Sequence, residues 1–527
     1  QERLLGLEKS YRGLAHEDEV AARLPYCVFG TNPRAPSIDT PLHAFLPFAH
    51  VDHMHPDAII AIATARDGER FAADAFSEEL GWLGWQRPGF DLALRIRDLV
   101  RSKRRIRGVI LAGHGLITWG ASSKECYRNT IEVIGRAEEW LKERTRDVKP
   151  LGGSHISARS PEERSKVASE LMPVLRSKLS TDHRKVGHYS DDDEILDFVN
   201  SAKLEILARL GTSCLDHFLR TKIRPLVLPT EVETAPKNID RLIDRYRTEY
   251  TSYYERCRRS DSPSMRDASH VVVLMPAIGM FTFASSKTAA RIAAEFYRNA
   301  VRVMRGASAI SEYVALPEQE AFDIEYWALE DAKLKRQLAA KPLASRIAIV
   351  TGGAGGIGRA VAARLLEDDC CVVLLDIDGA ARDAARESLV SRFDSDRVRA
   401  FQCDVTNEND VASAFAYAAR EYGGIDIVVS NAGIASSAPI ESTSLEVWER
   451  NQSVLSTGYF LIAREAARLL KHQGMGGSIV FVASKNALAA SAGAAAYNAA
   501  KAAELHLART LALELAPHGI RVNAVNP

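Results

Sequence analysis

Ile347-Ala-Ile-Val-Thr-Gly-Gly-Ala-Gly-Gly-Ile-Gly358 sets the architecture of the end of the chain. Four apolar residues read as a buried strand, and the glycines after them read as a tight turn opening a helix. Glycine lets a backbone approach a pyrophosphate, which then rests on the helix N-terminus. A Gly-rich turn alone is a weak signal, but a strand before it and a helix after it are the context the motif requires. Val372-Val-Leu-Leu-Asp376 then ends a second strand with a carboxylate, about twenty residues on, where a ribose 2′-hydroxyl would lie. That charge repels a 2′-phosphate, so the pattern favours NAD over NADP. Thr351, Gly352, Gly356, Ile357, Gly358 and Asp376 are the first candidate cofactor residues. Asp404 and Val405 after the next strand, and Asn431-Ala432-Gly433 after the one following, sit where adenine and ribose edges would lie.

Tyr497-x-x-x-Lys501 falls on a helix-like stretch, where i and i+4 share one face. A nearby ammonium lowers a phenol's pKa, which makes Tyr497 a candidate acid/base for hydride chemistry at a carbonyl. Ser484 follows an apolar strand and can bond the same oxygen. Taken singly, a Tyr–Lys pair at this spacing reads as a surface pair. In order with the Gly-rich turn and Asn-Ala-Gly, the functional reading prevails. This ordered set resembles the short-chain dehydrogenase/reductase family over residues 344–527. The resemblance implies a doubly wound parallel sheet, catalysis by Ser484, Tyr497 and Lys501, and the cofactor residues named above. Leu455 stands where many members of that family carry a catalytic Asn, and Asn451 lies one turn earlier on the same face. By the same resemblance, a substrate lid and a last strand are expected after Pro527.

Working upstream, Phe48-Ala-His-Val-Asp-His-Met-His-Pro-Asp57 places His53 and His55 at i and i+2, on one side of an extended segment. Leu111-Ala-Gly-His114-Gly-Leu-Ile-Thr118 offers a third imidazole between two glycines. Any one of these histidines alone reads as a surface or core residue. Three imidazoles with an open position suit a catalytic zinc, which can polarise a ketone and support the charge left when the neighbouring carbon–carbon bond breaks. Such a cleavage also needs a carboxylate to move a proton. Asp39, in Pro36-Ser-Ile-Asp-Thr-Pro-Leu-His43, is the candidate, with a helix cap before Pro41 as its plain alternative. Arg87 is a candidate for an anionic substrate group. The His pair, the Gly-His-Gly turn and the capped helix after it resemble the class II aldolase/adducin family over residues 31–145. That resemblance implies zinc held by His53, His55 and His114, proton transfer by Asp39, and a phosphorylated ketose as substrate. Asp39 departs from the Glu of monofunctional aldolases. Phosphate-binding turns are expected before Gln1.

Three regions separate by texture: 1–150 with the histidines, a polar helical stretch 151–340, and 341–527 with alternating strands and helices. Gly115-Leu-Ile-Thr-Trp-Gly-Ala-Ser-Ser-Lys124 echoes Gly279-Met-Phe-Thr-Phe-Ala-Ser-Ser-Lys287 with one residue deleted. A duplicated domain explains the echo; so does chance in one short match. If it is a duplication, His114 faces Ile278 and the second copy lacks that ligand.

Composition narrows the partners. The 527 residues carry 68 Lys plus Arg against 68 Asp plus Glu, so no global charge draws nucleic acid or an anionic membrane. The basic run Arg101-Ser-Lys-Arg-Arg-Ile-Arg107 reads as the polar end of a helix. Seven cysteines without a CxxC spacing fit a reducing cytoplasm. The longest uncharged stretch, 268–286, holds His270, Pro276 and Gly279 and is a poor membrane span. An aldolase part followed by a dehydrogenase resembles the bifunctional rhamnulose-1-phosphate aldolase/alcohol dehydrogenase group, to which residues 323–333 also fit. Dihydroxyacetone phosphate, L-lactaldehyde and a homo-oligomer follow from that likeness. Two other readings stay open: a sugar or polyol dehydrogenase with a non-catalytic adducin-like N-terminal part, and an epimerase of a pentulose phosphate.

Overall fold

The computed structural model describes residues 2–30, 36–103, 105–212, 214–230, 236–327 and 340–527. Parts of the readings above at 31–35, at Arg104 and at 328–333 lie outside the described residues. Among those described, the strands form three sheets. The first joins β1 (His50–Met54), β2 (Leu80–Leu83), β3 (Gly108–Leu111) and β4 (Gly115–Gly120) in the order β1-β4-β3-β2. β4 runs antiparallel to both β1 and β3, whereas β2 is parallel to β3. The second joins β5 (Val186–Ser190), β6 (Leu226–Val227), β7 (Val272–Met275) and β8 (Gly279–Ala284) in the order β5-β8-β7-β6, with the same senses.

The echo in the sequence is thus a repeated fold. Even its tightest turn repeats. Gly113 at φ 65° and Ala277 at φ 67° occupy matching left-handed positions between the paired strands. In each turn the next residue donates its N–H back across the bend, His114 to Leu111 O at 3.1 Å and Ile278 to Met275 O at 3.2 Å. In β1, His53 pairs with Ile117; in β5, the matching partner of Phe281 is Tyr189.

The two repeats share a core. Ile59, Ile62, Val133 and Ala137 of the first pack with Val199, Leu274, Val301 and Met304 of the second, all fully buried. The helix Lys287–Ile310 crosses Asp57–Ala63 so closely that a Cβ on Gly306 would lie 2.7 Å from the Ala61 Cβ. The helix Ser123–Thr145 starts at Ser122, whose hydroxyl accepts the Glu125 N–H. Glu125 reaches back to the N–H of Ala121 at 2.9 Å, one residue before the reciprocal partner that Ser-x-x-Glu predicts. In the basic run, Arg107 is tied to Glu79 at 2.8 Å and Glu132 at 2.7 Å.

The third sheet joins β9 (Ile347–Thr351), β10 (Cys371–Asp376), β11 (Val398–Gln402), β12 (Ile427–Ser430), β13 (Gly477–Val482) and β14 (Ile520–Val525). Its order is β11-β10-β9-β12-β13-β14, parallel throughout. β9 is buried at every position, as a strand covered by helices on both faces must be. The order reverses between β9 and β12, and at such a switch point a crevice opens at the strand C-termini.

A buried ion-pair cluster joins this domain to the second repeat. Asp426, just before β12, accepts Arg176 at 2.6 Å and Arg184 at 2.8 Å. Arg176 is fully buried and also donates to the carbonyls of Lys185 and Ser345. Lys287 pairs with Glu421 at 3.1 Å across the same junction. No helix among the described residues is long and apolar enough to cross a membrane.

Candidate functional site

β1 and the turn before β4 bring the three histidines together. His53 Nε2 lies 3.1 Å from His114 Nε2 and 3.2 Å from His55 Nε2. One ligand nitrogen from each falls within 4.8 Å of the others, a spacing one cation can bridge. The far ring nitrogens fix the orientation. His53 Nδ1 faces Leu116 O at 3.2 Å, and His55 Nδ1 faces Asp216 Oδ2 at 2.8 Å. Three ring nitrogens turned on one point suit a divalent metal ion.

Electrostatics suit two of the three rings in the metal-free protein, and the third holds a proton that a cation would have to displace. Burial, then the neighbouring His55, lowers His53 to about 4, which leaves it neutral and able to donate a lone pair at pH 7. His114, almost fully buried, is held well below the usual range by the same burial and by its two neighbours. Burial opposes charge on His55 too, but hydrogen bonds to Asp216 and Cys214 raise it to about 10, and Asp216 is lowered in step.

Asp39 shares a cavity of about 540 Å³ with His53, Ser37, Thr40 and His43. It holds the N-cap position of the short helix Thr40–Phe45, yet its side chain caps nothing and instead accepts the Ser37 hydroxyl at 3.1 Å. The carboxylate is therefore beside the histidine cluster and free of the helix-capping hydrogen bond that was its alternative. Arg87 is placed differently from the expectation. It is paired with the buried carboxylate of Asp323, which also takes Arg259 at 2.5 Å, so a carboxylate of the protein itself already holds it. Sequence reasoning missed Asp216 altogether. It lies on the helix Leu215–Thr221 of the second repeat, and no local motif announces it.

In the third sheet a groove of about 840 Å³ opens at the switch point, lined by Gly352, Gly356, Ile357, Asp376, Asp404, Val405, Asn431, Ala432 and Gly433. Thr351 and Gly358 act from behind it. The Thr351 hydroxyl accepts the N–H groups of Asn431 at 2.8 Å and Ala432 at 2.9 Å. A side chain on Gly358 would drive into the Gly352 carbonyl, and Gly352 itself sits at φ 61°. Asp376 accepts the backbone N–H of Ala354 at 3.0 Å and of Asp378 at 3.1 Å, which aims its carboxylate at the groove. These features fit a dinucleotide. The helix Leu445–Asn451 and the π-helical segment Gln452–Thr457 that continues it add Glu446, Glu449, Arg450, Ser453 and Val454 to the wall, residues the sequence reading did not single out.

Tyr497 and Lys501 lie on the helix Ala495–Leu515, and Ser484 opens the short turn after β13. A bond of 2.8 Å from Asn486 to Asn498 clips that turn to the helix. Tyr497 is half-buried, whereas Lys501 is buried and donates to Val482 O at 2.9 Å and Glu504 at 2.8 Å. None of the three lines the groove itself. Leu455 is fully buried against Gly433, so it brings no polar atom here. Asn451 donates to Ser436 at 2.9 Å and to Val447 O at 2.8 Å.

Three family models match the chain: the class II aldolase and adducin N-terminal domain over 7–141, the class II aldolase second domain over 166–334, and the short chain dehydrogenase over 346–527. An uncharacterized oxidoreductase, YuxG of Bacillus subtilis (strain 168), is 39% identical over 518 residues, covering 97% of this chain and 75% of that protein. The NAD-dependent glycerol dehydrogenase of Listeria innocua is 35% identical over 185 residues, 35% of this chain and 70% of that protein. A crystal structure of NAD+-bound xylitol dehydrogenase is 33% identical with a TM-score of 0.34, covering 36% of this chain and 71% of that one. The chain belongs to the family in which class II aldolase/adducin domains are fused to a short-chain dehydrogenase, a lyase and an oxidoreductase in one polypeptide.

Proposed function

We propose that the aldolase part cleaves a ketose 1-phosphate, L-rhamnulose 1-phosphate in the reading favoured by the family resemblance, to dihydroxyacetone phosphate and L-lactaldehyde. The dehydrogenase part then acts on the aldehyde or a related alcohol with NAD. The convergence of His53, His55 and His114 beside Asp39 carries this reading. Zinc, when bound there, supplies a Lewis acid that polarises the ketone carbonyl. Asp39 takes the proton of the hydroxyl on the carbon that leaves as the aldehyde, and returns a proton to the carbon that stays. Burial keeps His53 and His114 neutral, so both remain ligands at neutral pH. In the second site Tyr497 exchanges a proton with the alcohol oxygen while Ser484 bonds that oxygen and Lys501 supports the phenolate. Asp376 favours NAD, in keeping with the name of the Listeria relative. Seven free cysteines suit a reducing cytoplasm, and a homo-oligomer is part of the reading.

The test is cleavage of L-rhamnulose 1-phosphate with and without chelator, read as dihydroxyacetone phosphate. Chelator-sensitive cleavage that disappears in His53→Ala supports the reading. Failure to cleave by zinc-loaded protein sinks this substrate.

A further inference from the structure

Among the described residues the second repeat holds no metal-binding cluster of its own. Matching Gly279 to Gly115 and following the strand pairing, the positions of His53, His55 and His114 hold Tyr189, Asp191 and Ile278. Tyr189 donates to Ile278 O at 2.9 Å, and Asp191 is bound by Arg164 at 3.0 Å. These three positions form a closed polar patch in place of a ligand set. Yet this repeat sends one carboxylate into the histidine cluster of the first.

We infer that Asp216 is a positioning residue of the metal centre, so that the centre is assembled from both repeats. This rests on the metal-binding reading of the preceding section. An imidazole can present its Nε2 lone pair to a cation only if its proton sits on Nδ1. Asp216 accepts at His55 Nδ1 from 2.8 Å and thereby selects that tautomer and fixes the ring plane. For His53 the Leu116 carbonyl does the same, from within the first repeat. His55 follows the last residue of β1, beyond the strand's hydrogen bonds, so its ring needs an outside anchor. The helix that carries Asp216 is held in place independently, by Phe218 at 1% exposure and by Leu215 in the apolar core of the second repeat. Cys214, at the start of that helix, also donates to His114 O at 3.8 Å. Asp216 itself is half-exposed, and among the described residues His55 is its one hydrogen-bonding side-chain partner. Its removal therefore takes little from the fold and acts through His55.

Competition with a chromophoric zinc chelator measures the effect, alongside thermal unfolding of the metal-free protein. Asp216→Ala is expected to weaken zinc binding by about 10- to 100-fold, at an unchanged metal-free Tm. Asp216→Asn keeps an acceptor oxygen and is expected to fall between the two. In a His55→Ala background, Asp216→Ala is expected to add nothing. Wild-type affinity in Asp216→Ala, or an equal loss with and without His55, overturns the inference. Zinc affinity that ignores His53→Ala as well as Asp216→Ala would locate the failure in the metal reading itself.

Discussion

Replacing Asp426 by Asn removes one negative charge and almost no volume from the junction between the second repeat and the dehydrogenase. Three arginines face it: Arg176 at 2.6 Å, Arg184 at 2.8 Å and Arg346 at 3.6 Å. They do not lose equally. Arg346 and Arg184 keep 36% and 21% of their side-chain surface in water, which screens them. Arg176 keeps none, and without Asp426 its guanidinium retains two backbone carbonyls and no counter-charge. Breaking a buried pair from one side costs about 3–5 kcal/mol, so we take about 4 kcal/mol here. At about 2–4 °C per kcal/mol for a domain of this size, the dehydrogenase transition should fall by about 8–16 °C in scanning calorimetry. Arg176→Met with Asp426→Leu should recover only part of the loss, because it removes the buried Arg176 penalty but leaves the Ile347 N–H, which Asp426 accepts at 2.9 Å, and Arg184 without their partner. A drop of less than about 1 kcal/mol in Asp426→Asn would show that water or a neighbouring group already compensates Arg176, and the reasoning would fail.

Two further predictions concern the dehydrogenase part. Asp376→Ser should move the ratio of NADPH to NADH affinity toward NADPH by about tenfold or more, about 1.4 kcal/mol, read by nucleotide fluorescence titration; an unmoved ratio would mean that Asp376 does not face the ribose. Glu504 is fully buried, and burial, against the pull of Lys501, raises its pKa from 4.5 to about 7. Its folded pKa lies above its unfolded one, so the stability it contributes is complete below about 4.5 and is lost as pH climbs through about 7. Glu504→Gln does not titrate, so relative to it the wild type should lose up to about 3 kcal/mol between pH 4.5 and 8. Parallel pH–stability curves for the two proteins would contradict this.

Features that live within a few residues of one another were legible in the sequence. The Gly-rich turn with Asp376, the Tyr497–Lys501 pair and His53-x-His55 each announce themselves because backbone periodicity converts short spacing into shared direction. The second aldolase sheet was half-visible, since only the β8 segment resembles its counterpart while Tyr189, Asp191 and Ile278 stand at the positions matching the histidines. Asp216 was illegible for a physical reason: it meets His55 across 161 residues of chain, and a lone Asp on a short helix has no signature. The Arg87–Asp323 pair was illegible for a related one, because Asp323 is 236 residues away and its burial cannot be read from its neighbours in sequence. Asp426 was never singled out. Its importance lies wholly in which surfaces the two domains turn to each other.

The core shared by the first two sheets has a consequence for how this chain can be divided. Ile62 and Val133 find their neighbours in Val199, Val301 and Met304, so the two repeats, consecutive in the chain, should fold as one cooperative unit. A protease nicking the exposed linker near residue 150 should leave the halves associated and hard to pull apart. Either half expressed alone would present bare apolar surface and aggregate. Any truncation or fusion that keeps the repeat with the histidines must therefore keep the other with it.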